Sequence, residues 1–463
     1  MRFPDGALRL SERAMINVYD IAYALAATVS APLWLLKASA RRKVLGALSG
    51  RMGRIAARSG DAPAILIHAV SLGEVNATRG LVDRLRAVRG DLQIIISTTT
   101  ETGFARASEL YGAAAGTSVI RYPLDFSRAV TRLLDALRPS VVVLLELEVW
   151  PNFLLHCSRR GIPVMVANGR MTSGSFRRYR LALPFARRMF ARLSSVCVQD
   201  ETYAMRFAAL GVAEDRIRVA GTMKFDTATV ASRVEGDEQL AADLGLALPG
   251  RAAAEPRRWT WVCGSTGPGE EKSLLQVYRQ LRHEYPQLRL AIIPRKPERF
   301  DEVAGLIASA GFGLIRRSQN RSAQSPGAGA DVRGAPPVIL GDTMGELRKF
   351  YSLADVVFVG RTLVDLGSRQ HGSDMIEPAA LAKPVIVGPY TGNFAEAMSQ
   401  FRAAAAVVEV NSLQQLLAAM RNLLRDPGAA GAMGRRAQQV VVRGKGATER
   451  HVQIIAEHLP ARL

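Results

Sequence analysis

The chain has 463 residues, 48% hydrophobic and 22% charged, so it can bury a core and is not broadly disordered. Its 61 Lys and Arg against 41 Asp and Glu leave a net charge of +20, which needs an anionic partner or surface: nucleic acid, membrane lipid or a phosphorylated substrate. Cys157, Cys197 and Cys263 are too few and too scattered for a disulfide scaffold or a four-cysteine zinc site, and 6% aromatic residues with no Cys/His finger put nucleic acid last.

Residues 21–36 (IAYALAATVSAPLWLL) are uncharged, bounded by Asp20 and Lys37. As a helix the run spans about 24 Å, short of a hydrocarbon core of roughly 30 Å. Met15, Ile16, Val18 and Tyr19 can extend it if Asp20 is accommodated. Lys37, Arg41, Arg42, Lys43, Arg51, Arg54 and Arg58 follow with no acid before Asp61, which places the downstream chain in the cytoplasm. The run reads as a membrane anchor, spanning the bilayer or lying in its interface. A cleaved signal and a buried helix are the alternatives, and Asp5, Glu12 and Asp20 are unlike a basic signal start.

From Ala64 short apolar runs alternate with helical patterns. AILIHAV, QIIISTTT, SVVVLLELEVW and IPVMVANGR read as buried strands, separated by helices such as SLGEVNATRGLVDRLRAV. The alternation restarts with WTWVCGS, LRLAIIP, PPVIL, DVVFVG and PVIVG. This is an α/β pattern of two Rossmann-like halves facing a cleft, joined near the Gly/Ala/Pro-rich 231–257. Residues 316–337 are of low complexity and read as a loop. Neither GxGxxG nor GxxxxGK[ST] occurs, so NAD and ATP have no support.

In such sheets ligands bind beyond the carboxyl ends of the strands, and the candidate residues sit there. Glu74, in HAVSLGE, lies in the first turn of a helix; it serves a ligand or merely complements the helix dipole. Glu146 and Glu148 end an apolar strand, where period two puts them on one face. They bind substrate or accept hydrogen bonds from nearby loops. Residues 170–192 hold seven arginines (170, 177, 178, 180, 187, 188 and 192), no acid, and Phe176, Tyr179, Phe185 and Phe190. The segment is either a solvated basic face or a seat for a phosphorylated amphiphile. Lys224 in GTMKFD can face a leaving phosphate, or pair with a surface acid. Arg295 follows the strand LAIIP and suits a phosphate or carboxylate. GDTMGE (341–346) opens a helix, as does Glu377, which can accept from ribose hydroxyls. With six scattered histidines and no HExxH or DxD, a metal site has little support.

Taken in order, HAVSLGE, TTTETG, RYPLD, ELEVWPN, GTMKFD, GSTGPGEE, PRKPERF, GDTMGEL and NFAEAM resemble the Kdo (3-deoxy-D-manno-octulosonic acid) transferases of lipid A biosynthesis, over nearly the whole chain. The resemblance implies a GT-B glycosyltransferase with no cofactor and no metal. It would move Kdo from CMP-Kdo to a lipid A precursor with inversion, on the cytoplasmic face of the inner membrane, with the anionic membrane surface as a further partner and no nucleic acid. It implies that Glu74 is the base and that Glu146 and Lys224 stabilise the transition state. It implies that Pro294, Arg295, Met344, Gly345 and Glu346 contact CMP. In place of the family stretch GGHNPLE this chain has HGSDMIE, and counting back from Glu377 assigns Asp374, Met375 and Ile376 as the remaining contacts. Domains follow: 1–60, anchor and basic juxtamembrane segment; 61–230, acceptor domain; 231–257, linker; 258–445, CMP-sugar domain; 446–463, C-terminal helix. A carboxylate at its usual pKa of about 4.3 is ionised at neutral pH and can take a sugar hydroxyl's proton. A GT-B transferase using another donor such as a UDP-sugar, a non-catalytic membrane-associated binding protein and a nucleic-acid binder are the competing readings.

Overall fold

The structure, a computed structural model, describes residues 17–35, 47–248, 258–319, 336–367 and 370–461. They fall into two compact units, one within Met1–Met223 and Gly446–Leu463, the other within Lys224–Lys445.

The first unit is built on a seven-stranded parallel sheet. Its strands are β1 (Ala64–His68), β2 (Gln93–Thr98), β3 (Thr117–Arg121), β4 (Val141–Leu145), β5 (Val164–Gly169), β6 (Ser195–Val198) and β7 (Ile217–Val219), in the order β3-β2-β1-β4-β5-β6-β7. Both faces of β4 are apolar because both are covered: Val142 and Leu144 join one core cluster, Val141, Val143 and Leu145 the other. The helix Ser127–Leu137 buries Ala129, Val130, Leu133, Leu134 and Leu137, the spacing of a single apolar stripe. The chain reverses direction along the sheet between the paired β1 and β4, where His68 lies opposite Leu144. That reversal is the point at which open α/β sheets leave room for a ligand.

The last helix, Ala447–Ala456, also belongs to this unit. Its Val452 and Ile455 share a core with Leu81, Val82 and Leu85 of the helix Leu72–Val88. The Asn168 N–H donates to His451 Nε2 at 2.8 Å, and Arg450 Nε donates to the Ala220 carbonyl at 2.8 Å.

The apolar run near the amino terminus forms the helix Val18–Leu35, but no helix among the described residues is long and apolar enough to cross a membrane. Its first turns dock on the unit. Asp20 is buried and accepts from the Ser127 N–H (2.8 Å), Asn152 Nδ2 (3.2 Å) and the Asn17 N–H (3.0 Å), while the Tyr23 ring meets Phe126 edge-on at 6.1 Å. Asp20 is therefore accommodated as the cap of the helix Ser127–Leu137, a role for which a charged residue is suited. Of the basic residues read as juxtamembrane, Lys37, Arg41, Arg42 and Lys43 lie outside the described residues. Arg51 and Arg58 brace the fold instead: Arg51 donates to the Thr99 carbonyl, and Arg58 to those of Leu137 (2.8 Å) and Ala62 (2.6 Å).

The second unit repeats the plan. Its strands are β8 (Trp259–Thr266), β9 (Leu288–Pro294), β10 (Leu314–Arg316), β11 (Val338–Leu340), β12 (Val356–Val359), β13 (Val385–Val387) and β14 (Val408–Glu409), in the parallel order β10-β11-β9-β8-β12-β13-β14. Here the reversal lies between β8 and β12. Gly360, just past β12, has no space for a side chain: a Cβ there would stand 2.4 Å from the Thr266 Cα. The low-complexity stretch read as a loop starts inside structure. Arg316 closes β10 and Arg317–Gln319 forms a short 3-10 turn, because both arginines are held by acids; residues 320–335 lie outside the described residues.

Candidate active site

In the first unit the candidate carboxylates meet at the β1/β4 reversal. β1 ends at His68 and the helix Leu72–Val88 starts after Ser71, whose hydroxyl accepts from the Glu74 N–H at 3.3 Å. Glu74 answers with its own carboxylate, which accepts from the Ser71 hydroxyl (2.8 Å) and the Val70 N–H (2.9 Å). This reciprocal cap fixes the side chain and still leaves each oxygen a lone pair. Glu74 is half-buried rather than open, and its pKa is pushed up to about 7, first by burial and next by the charge of Glu146. The expectation of an ordinary carboxylate pKa is thus corrected: at pH 7 about half of Glu74 is ionised, which suits a general base better than full ionisation would.

The strand expected over 140–150 stops at Leu145, and Glu146 has φ +57°, in the left-handed region. The period-two argument for Glu146 and Glu148 therefore fails, since that turn, not an extended backbone, sets their directions. The Glu146 N–H still bonds the Ala167 carbonyl of β5 at 3.0 Å, so the turn is pinned at the sheet's end. A non-glycine residue in this conformation costs about 1 kcal/mol or more and tends to mark functional sites. Glu148 is also half-buried. Burial pushes its pKa up, a hydrogen bond with Trp150 opposes that, and Glu146 adds to it.

His68, the other titratable residue of HAVSLGE, is structural. Its Nδ1 lies 3.1 Å from the Ser97 carbonyl, so that nitrogen carries the proton. Burial pushes its pKa down to about 3, and the ring stacks on Tyr122 at 3.8 Å. Beside it, Asp125 of RYPLD caps the helix Pro151–Arg159, accepting from the Asn152 (2.9 Å) and Phe153 (2.8 Å) N–H groups. Burial lifts its pKa to about 6 against those bonds and one from Tyr23.

The arginine-rich segment forms the helices Ser173–Leu181 and Leu183–Phe190. Its aromatic residues divide by role. Phe190 is fully buried, Tyr179 packs on it edge-on at 5.1 Å, and Phe176 lies against the same core. Only Phe185 (55% exposed) joins Leu181 (89%) on the surface, at the elbow between the helices, among the exposed Arg177, Arg178, Arg180, Arg187 and Arg188.

The second unit holds Lys224 and the donor candidates. Lys224 opens the short helix Lys224–Thr227; its Nζ donates to the Asn393 carbonyl at 2.7 Å and stands 4.6 Å from the centre of the Phe394 ring. The motifs GTMKFD and NFAEAM thus meet at this ammonium. Pro294 closes β9, and the Arg295 N–H bonds the Thr266 carbonyl at 3.0 Å, leaving an exposed guanidinium at the strand end. Glu377 is half-buried, and its pKa is pushed up to about 7 by burial and then by Asp374. The exposed Asp374 accepts from the Ile376 N–H at 2.8 Å.

Three expectations for this unit are corrected. The helix after GDTMGE begins only at Leu347, with Glu346 before its first turn, so 341–346 is a loop. Within it Met344 is 69% exposed and Gly345 has φ +84°. The Glu346 carboxylate is engaged within the fold: it binds Arg317 at 2.9 Å, and that bond holds its pKa below the usual range. Met375 and Ile376 have no side-chain surface to offer a donor, since both are fully buried in the core beside Val359 and Val387.

Sequence reasoning missed Glu270, Glu271 and Arg299. Glu270 is 0% exposed and accepts from four backbone N–H groups: Gly267 (2.8 Å), Arg361 (2.6 Å), Thr362 (2.9 Å) and Leu363 (2.9 Å). It ties the loop after β8 to the loop after β12 at the unit's reversal point. Glu271 binds Arg299 at 2.6 Å and so joins GSTGPGEE to PRKPERF. Two adjacent acids opening a helix read as dipole complements; the signal for more was the glycine-rich stretch before them, which exposes backbone amides in need of acceptors.

The profile of a family described as "3-Deoxy-D-manno-octulosonic-acid transferase (kdotransferase)" matches residues 46–227. The chain is 34% identical over 398 residues to a "3-deoxy-D-manno-octulosonic acid transferase" of Haemophilus influenzae, covering 85% of this chain and 87% of that one. It is 32% identical over 450 residues to one of Bordetella pertussis, covering 94% and 99%. A crystal structure of Anabaena Alr3699/HepE in complex with UDP shares the α/β GT-B-like fold, with a TM-score of 0.55 at 13% identity over 85% of this chain and 100% of that one. Relatives this similar along nearly their full lengths, carried by a chain whose two parallel sheets bear the ordered motifs at their strand ends, make it a glycosyltransferase belonging to the 3-deoxy-D-manno-octulosonic acid transferase family.

Proposed function

We propose that the chain transfers Kdo from CMP-Kdo to a hydroxyl of a lipid A precursor, with inversion and without a metal, at the cytoplasmic face of the inner membrane. The observation that carries this reading is Glu74 at the β1/β4 reversal, with a pKa of about 7 and free lone pairs. The acceptor oxygen attacks the anomeric carbon of Kdo, its proton passes to the Glu74 carboxylate, and the bond from that carbon to the phosphate oxygen breaks to release CMP. Lys224 offsets the charge on the departing phosphate, as does Arg295. Glu146 supports the positive charge that develops on the sugar. A monophosphate leaving group requires no divalent clamp when such cations serve it.

The nucleotide binds along Pro294, Arg295, Met344, Gly345, Asp374 and Glu377, with Met375 and Ile376 contributing backbone only. Glu346 acts through Arg317, shaping the loop. The exposed arginines around Leu181 and Phe185 hold the acceptor's phosphates and the anionic headgroups beside it, which supports a membrane-surface location.

The test is incubation of the protein with CMP-Kdo and tetra-acylated lipid A precursor, with EDTA present, read by mass spectrometry. Product bearing Kdo is expected. Transfer from a UDP-sugar instead, or transfer abolished by EDTA and restored by Mg²⁺, overturns the donor or the metal assignment.

A further inference from the structure

A groove of about 490 Å³ runs between the helix Val18–Leu35 and the start of the helix Ser127–Leu137, wholly within the first unit. Ile21, Ala24, Leu25, Met52 and Phe126 give it apolar walls. The polar residues on its lining are already engaged. Asp20 and the Ser127 N–H bond each other at 2.8 Å, and the Thr28 hydroxyl bonds the Ala24 carbonyl at 2.8 Å. Apart from Arg128, a ligand with polar atoms would find few partners on these walls, whereas a hydrocarbon loses nothing there. Ile21 (55%) and Leu25 (63%) stand exposed along it, and the exposed Arg128, next to Ser127, joins the lining with no ion pair among the described residues. Apolar walls with a single cation on the lining match an acyl chain carried by an anionic headgroup.

The groove is also tied to the site. Asn152 Nδ2 reaches both Asp20 (3.2 Å) and the Asp125 carbonyl (2.6 Å), and Asn152 opens the helix that follows Glu146 and Glu148. Phe126 and Ser127 follow β3, at the carboxyl ends of the strands as Glu74 does after β1.

We propose that this groove takes one acyl chain of the glycolipid acceptor, so that the helix Val18–Leu35 is part of the acceptor site. The inference rests on the function proposed above. Each methylene seated there strengthens binding about fourfold.

The experiment compares the full chain with A24W, which fills the groove, and L25D, which charges its exposed wall. Each is assayed in detergent with an acylated lipid A precursor and with the same sugar backbone stripped of its acyl chains. Both variants are expected to raise KM for the acylated acceptor about tenfold or more, with kcat unchanged and transfer to the stripped acceptor at the level of the unsubstituted protein. That last activity also reports correct folding. Equal losses on both acceptors, or no loss on either, overturn the groove assignment. Unchanged kinetics in detergent together with weaker binding to acceptor-free anionic vesicles makes the occupant a bilayer lipid and equally overturns it. If the unsubstituted protein transfers to neither acceptor, the proposed function fails rather than the groove.

Discussion

Burial raises the pKa of Glu74 and the charge of Glu146 adds to it, although the two residues lie far apart in the chain. Each follows one of the two strands that pair at the reversal point of the first sheet. The left-handed turn at Glu146 places its charge where it adds to burial in favouring the protonated form of Glu74.

The single-turnover rate should therefore rise with pH to a plateau, with its midpoint near 7. Glu146→Gln is expected to move that midpoint downward, and to slow the plateau rate through loss of its own role. A midpoint unchanged in the variant would separate the two carboxylates.

The same shift affects stability, with a definite sign. Glu74 has a folded pKa of about 7 against 4.5 for an ordinary glutamate, so the folded protein holds the proton more tightly. The stability this contributes is present in full below pH 4.5 and is lost as pH rises through 7, a change of about 3 kcal/mol. Glu74→Gln, whose carboxamide oxygen can keep the Val70 N–H while its NH2 donates to the Ser71 hydroxyl, should melt several degrees above the parent at pH 8 and close to it at pH 5, while losing transfer. Calorimetry at the two pH values checks this.

Glu270→Ala should cost about 3 kcal/mol or more in urea unfolding, because four buried N–H groups lose their acceptor. Glu270→Gln should fall between, since one carboxamide oxygen cannot serve all four. Isothermal titration with CMP is expected to show weakened binding for both, in the same order.

Lys224→Met should lower kcat by about 100-fold or more while CMP still binds. Phe394→Leu removes the ring from the ammonium and should lower kcat about two- to tenfold, with Phe394→Tyr restoring it. Rapid-quench measurement of Kdo transfer, beside CMP binding, separates this from a general loss of structure.

Replacing Arg177, Arg178 and Arg180 by serine should raise the acceptor KM severalfold at low ionic strength, with a smaller difference at 0.5 M salt, since exposed charges are screened. An acceptor KM that ignores the triple replacement removes the phosphate role.

The strand and helix alternation was legible because fully covered parallel strands are continuous apolar runs; WTWVCGS and SVVVLL needed no further context. The motifs were legible for a related reason, since each follows such a run. Local pattern could not show what depends on partners distant in sequence. Glu146 leaves the strand early because its turn is stitched to β5. The partner of Glu346, Arg317, comes from a stretch that reads as low complexity, so the pair is invisible to local pattern. Met375 and Ile376 were assigned by counting, and counting says nothing about which side of a backbone faces the core.

The return of the final helix to the first unit has a practical consequence for anyone cutting the gene. The donor-side body is an internal insert, so expressing it alone means excising Lys224–Lys445 rather than stopping or starting translation at one boundary. A premature stop shortly before Gly446 would spare that insert and instead strip the cover from Leu81 and Leu85, on the helix that carries the proposed base. Tags and nonsense alleles at the carboxyl end should accordingly behave as lesions of the first unit.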